Sequence, residues 1–180
     1  MADTPENLSE YPQMANRKTV RELPIGRIIG LFSLATGASN RVVIAAFQGK
    51  QTGETLLLRS ILHFILASRI PPADRYYASF RSFAAGTMKK IDMVARAHHL
   101  RKVYFRRGSQ QGHLDQVAEY RKPHRPDWMS KKEYMKYPDV LRVRHLHYKV
   151  HQRGYRTRQI TLATTLSDAE FYELFPHSCI

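Results

Sequence analysis

Cysteine is almost missing from this chain: there is one, Cys179. A single cysteine excludes an internal disulfide framework and fits a reducing compartment. Long apolar runs are missing too. LLLRSILHFILA is short for a bilayer span and contains Arg59 and His63. The amino-terminal MADTPENLSEYPQ is acidic and polar, unlike a secretory leader. These absences predict a cytoplasmic protein with no membrane partner. Acids are scarce, with 15 Asp plus Glu against 29 Lys plus Arg, a formal net charge of +14 and an isoelectric point near 10.2. Such a balance points first to a polyanion, most often nucleic acid, and second to an acidic membrane surface.

Several chemistries also lack their residues. FQGKQTGET holds Gly49, Lys50 and Gly53, but the lysine precedes the second glycine, so the order of a phosphate-binding loop is absent and a turn before a helix is the plainer reading. Nine histidines include the pair His98–His99 and the alternating His145 and His147. With no cysteine at ligand spacing and no third ligand nearby, surface or backbone-contacting histidines are expected rather than a zinc site. Nothing resembles a nucleophile elbow, and Cys179 is the penultimate residue.

What is present is a chain of 180 residues, 43% hydrophobic, enough for one ordinary domain with a core. Residues 1 to 22 read as an irregular arm. PIGRIIGLFSLAT and RVVIAAF, joined by the turn residues GASN, predict a hairpin. GETLLLRSILHFILAS places apolar groups at helical spacing over 53 to 68. YYASFRSFAAG predicts a short helix ending near Gly86, and IDMVARA predicts a strand. From Arg96 to Arg158 the composition shifts, and this stretch holds more than half of the basic residues. RKVYFRR, VLRVRHLHYKV and RTRQITLATTL alternate basic with apolar groups, which predicts strands with one basic, solvated face. SKKEYMKY predicts a helix entered from Ser130. SDAEFYELF predicts another, capped by Ser167 or Asp168, with Glu170 placed for a capping box.

Two sites stand out. Asp74, in PPADRYYASF, is an acid alone among apolar and aromatic residues. It reads either as a helix N-cap or as a metal-binding carboxylate at a strand tip. The second site is the basic region. HHLRKVYFRRG and YRKPHRPDWM mix cations for phosphate contacts with aromatic faces that stack on unpaired bases. A solvated basic strand face is the bland alternative.

These segments, in colinear order, carry a family pattern over roughly residues 3 to 172. DTPEN…YPQ, GLFSLATGA, GKQTGETLLLRSIL, ADRYYASF, ARAHHLRKVYFRRG, YRKPHRPDWMSKKEYMKYPDVLRVR and GYRTRQITLATTLSDAEFY resemble a DDE-type insertion-sequence transposase. The branch is the one with a β-rich insertion between the second Asp and the Glu. The resemblance implies an α/β fold. Residues 1–95 would be a partial RNase H-like core, 96–160 a β-rich basic insertion, and 161–180 a return to the core. It implies DNA as partner, a homo-oligomer in the full-length family, and two Mg²⁺ held by three acids for DNA cleavage and strand transfer. Asp74 matches the second acid, as catalytic residue and metal ligand, with Arg75 and Tyr76 beside it. Arg75, Arg101, Lys102, Arg106, Arg107, Lys122, Arg125 and Trp128 are the expected DNA contacts. The strand with the first Asp would lie ahead of Met1. After TTLSDAEFY the sequence runs ELFPHSCI in place of a Tyr–Arg–Glu helix, and Pro71 and Pro72 sit where the family has a smooth apolar strand. The expectation is a chain truncated at both ends that binds DNA but does not catalyse transposition alone. The alternative is a non-enzymatic basic module that binds nucleic acid.

Overall fold

Alternation, turn residues and caps give this chain a mixed α/β fold with a mixed sheet and few helices. The structure, a computed structural model, describes residues 2, 4–12, 24–47, 53–67, 69–98, 101–150 and 159–166. The expected helix from Ser167, its capping box, Cys179 and His99 lie outside these residues. The chain divides into two compact units, residues 1–65 and 66–180.

The first unit opens with a short helix, α1 (Pro5–Glu10), capped by Thr4. The expected hairpin follows as β1 (Gly26–Phe32) and β2 (Ser39–Ala46), paired antiparallel. Its turn comes slightly earlier than GASN suggests. Ser33 N–H donates to the Ala38 carbonyl at 2.9 Å, and Gly37 takes a left-handed φ of 69°, where a side chain would be strained. Helix α2 (Glu54–Ile61) buries Leu57, Leu58 and Ile61 and tightens into a 3₁₀ turn over Leu62–Phe64, so regular α-helix stops short of the predicted residue 68. Glu54 in its first turn pairs with Arg27 of β1 at 3.5 Å.

In the second unit six strands form one sheet in the order β3-β4-β8-β7-β6-β5. These are β3 (Pro72–Ala73), β4 (Val94–Arg96), β5 (Ser109–Gly112), β6 (Asp115–Arg121), β7 (Val140–Lys149) and β8 (Gln159–Thr164). Only β3 and β4 run parallel, and α3 (Phe80–Thr87) lies between them in the chain. Ser79 caps α3 by accepting from Ser82 N–H at 3.3 Å. The helix continues past Gly86. It closes when Lys90 turns left-handed (φ 58°) and Ile91 N–H reaches back to the Gly86 carbonyl. Helix α4 (Lys131–Met135) starts from Ser130, as its sequence predicts. The core gathers Phe83, Ile91, Met93, Val143 and Ala163, with the Phe83 ring against Tyr120.

The sheet runs across residue 95/96 and residue 160/161: β4 pairs with β8, and β8 with β7. β7 is paired along both edges, and the successive residues Val143, Arg144 and His145 are all buried, so both of its faces are covered there. That overturns the expectation of a solvated basic face along VLRVRHLHYKV. Arg142 is exposed, but Arg144 and His145 are buried. RKVYFRR is also not a strand. Residues 101–107 are irregular, with a turn at Phe105–Arg106 closed by Arg107 N–H to the Tyr104 carbonyl at 3.1 Å.

Candidate nucleic-acid interface

Asp74 follows the two-residue β3, so it does stand at a strand tip. There it begins a 3₁₀ turn over Arg75–Tyr77, and its Oδ1 accepts the Tyr76 N–H at 2.9 Å. Both Asp74 and Arg75 are exposed. Proline is tolerated in β3 because the strand lies at the edge of the sheet, where a missing donor breaks no ladder. Among the described residues no group of three His, Cys, Asp or Glu is placed to hold a metal ion. A single exposed carboxylate with one oxygen occupied by a cap does not fit a two-Mg²⁺ site, so no chemical step is derived through Mg²⁺ from these residues.

The basic residues behave differently. Arg101, Lys102 and Arg107, together with Arg121 of β6 and Arg142 of β7, line a cleft of about 840 Å³. It lies between segment 101–109 and β6, beyond the end of β5's pairing. Gly108 makes this approach close. A Cβ there would come 2.5 Å from the Val117 carbonyl oxygen, and the Gly108 N–H donates to Gln116 Oε1 at 3.2 Å. Two cations are fixed over rings: Arg101 at 4.0 Å from the centroid of Tyr120, and Arg107 at 4.7 Å from that of Tyr104. The cleft has one carboxylate, Glu119, against five cations. Among the described residues none of the five forms an ion pair.

The open edge of β6 adds polar backbone. Lys122 N–H donates to the Asp139 carbonyl at 2.8 Å, so by alternation Tyr120 and Ala118 also face β7. Glu119 and Arg121 then direct their N–H and C=O groups the other way, toward the cleft.

Elsewhere the fold uses its cations for itself. Arg144, 2% exposed, forms a two-pronged pair with Asp115, with Nε at 2.8 Å from Oδ1. Lys122 Nζ donates to the Tyr137 carbonyl at 2.6 Å, approaches Asp139 at 3.4 Å and sits over the Tyr134 ring. Its ammonium therefore braces the segment before β7. Arg125 donates to the Met129 carbonyl. Arg106 and Trp128 are exposed and, like Arg75, lie outside the cleft lining. The expected set thus separates into three cleft cations, two braces, and three residues placed elsewhere. Arg121 and Arg142 are additions. Their signal was alternation along β6 and β7, which marks a face but not the cleft at its edge.

Tyr120 and His145 also line the cleft, and their Oη and Nε2 are 2.8 Å apart. Burial, aided by the nearby Arg101 charge, lowers the His145 pKa to about 4, so the ring is neutral at pH 7. Burial raises Tyr120 to about 12, although Arg101 pulls the other way. His145 Nδ1 is buried without a hydrogen-bond partner among the described residues.

No family model matches the chain, and no curated protein or solved structure matches it. No helix among the described residues is long and apolar enough to cross a membrane.

Proposed function

We propose that this chain is a DNA-binding part of a DDE-type insertion-sequence transposase. The observation that carries DNA binding is the cleft: five cations and one carboxylate line it, and none of the five forms an ion pair among the described residues. Clustered unpaired cations repel one another, and a polyanion relieves that repulsion while releasing its counterions. The parallel β3–α3–β4 unit with Asp74 at the tip of β3 is in keeping with a partial RNase H-like core. In that reading Asp74 is a catalytic metal ligand by descent, and Mg²⁺-dependent cleavage needs acids from outside the described residues. The chain alone binds DNA and does not cut it.

The Asp74 cap favours a second reading, a non-enzymatic basic module retained for nucleic-acid binding. In such a module Asp74→Ala leaves Mg²⁺ affinity unchanged. In a transposase core joined to its remaining acids, it abolishes Mg²⁺-dependent strand cleavage.

Binding common to both readings is tested by fluorescence anisotropy with labelled DNA across a salt series. If the cleft cations meet phosphates, the logarithm of affinity falls as that of salt rises, by about 0.7 for each phosphate neutralised on a single strand. Replacing Arg101 and Arg107 with Gln makes the slope shallower. Binding that is absent, or indifferent to salt, would sink the proposal.

A further inference from the structure

We infer that the cleft beside the open edge of β6 takes the end of a nucleic-acid strand that bears a terminal phosphomonoester. This rests on the nucleic-acid reading above and specifies what that site selects.

The charge arrangement comes first. A phosphodiester backbone carries one charge per phosphate along an extended line. Here Arg101, Lys102 and Arg107, all from one short segment, line one recess rather than an extended groove, while Arg121 and Arg142 border it from the sheet face opposite Tyr120. A terminal phosphomonoester carries about −1.5 to −2 and three acceptor oxygens on one phosphorus, a closer match to cations gathered around one point.

The shape points the same way. The major groove of a duplex is by itself about 12 Å wide. The body of a duplex does not enter a recess of about 840 Å³, whereas a strand end does.

The donors complete the case. The guanidiniums of Arg101 and Arg107 are held over Tyr120 and Tyr104, so less freedom is lost when they grip an anion. The outward N–H groups of Glu119 and Arg121 offer backbone donors on the same wall. Contrast makes the scarcity of carboxylates meaningful. The buried Arg144 has Asp115, and Lys122 has Asp139, yet the cleft cations have no such partner among the described residues.

The experiment compares single-stranded oligonucleotides of one sequence, with a 5′-phosphate, a 3′-phosphate or hydroxyls at both ends, using the full chain at fixed salt. At least one phosphorylated form is expected to bind about tenfold tighter than the hydroxyl form, the effect of one added charge-assisted contact. The preference should vanish in Arg107→Gln and, separately, in Arg101→Gln, each checked by thermal melting for an intact fold. Both side chains are exposed, so at least one variant is expected to fold. Equal binding of all three forms, with salt sensitivity retained, would overturn the strand-end assignment and leave the nucleic-acid reading standing. No salt-sensitive binding of any form would overturn both. A nucleoside monophosphate that competes as well as the phosphorylated strand would overturn the strand end in favour of a free nucleotide.

Discussion

A carboxylate that caps a turn and a carboxylate that binds metal answer differently to substitution. At Asp74 the cap is an acceptor for the Tyr76 N–H, a task that Asn performs as well as Asp. Asp74→Ala is therefore expected to cost about 1 kcal/mol in urea unfolding of the whole chain, and Asp74→Asn close to nothing. Equal losses in the two variants would show that the negative charge, rather than the acceptor, is what the fold needs. Capping was legible in the sequence because its partner is two residues away. The bracing roles of Lys122 and Arg144 were not legible. Their acids, Asp139 and Asp115, lie 17 and 29 residues off and arrive only when strands pair. A cation in a sequence looks the same whether its partner is DNA or an aspartate across a sheet.

Among the elements, those with local signals came out close to expectation. The hairpin, α2, α3 and α4 rest on alternation, helical spacing and caps. RKVYFRR failed because its backbone closes locally, as in the Arg107 N–H bond to the Tyr104 carbonyl, instead of pairing with the open edge of β6. Here the segment turns across the sheet edge and forms a wall of the cleft. β6 and β7 set up the clearest pH dependence. His145 is neutral in the fold, with its pKa lowered to about 4 against an ordinary 6.5. The unfolded chain binds the extra proton between those values. The stability associated with neutral burial is fully present above pH 6.5 and is lost as pH falls toward 4, by up to about 3 kcal/mol. Urea midpoints for the wild type and for His145→Gln, measured from pH 7 to pH 4, check this: the variant should fall less steeply. Parallel curves for the two proteins would exclude His145 as the source.

Across the whole molecule, the α/β class and the basic character of the second half were readable. The order of the sheet was not. β8 joins β4 to β7, so residues 94–96 and 140–149 belong to one ladder through a strand near the other end of the chain. No local pattern announces such a pairing. At this scale the Asp115–Arg144 pair matters most, because a buried charge left alone is costly. Asp115→Ala is expected to destabilise the chain by about 3–5 kcal/mol, while Asp115→Leu with Arg144→Met together cost far less, both read by urea unfolding. A smaller loss in the single variant than in the double one would contradict this. The pair also has a consequence for how the sheet assembles. If β6 and β7 slid past each other by one residue, Tyr120 and Leu141, and Ala118 and Val143, would part to opposite faces. In that slipped form Asp115 and Arg144 would face opposite sides, each stranded without its counter-charge. The ion pair therefore works as a proofreader: it adds little to the correct sheet beyond what apolar residues would give, and it makes the misaligned one too costly to persist.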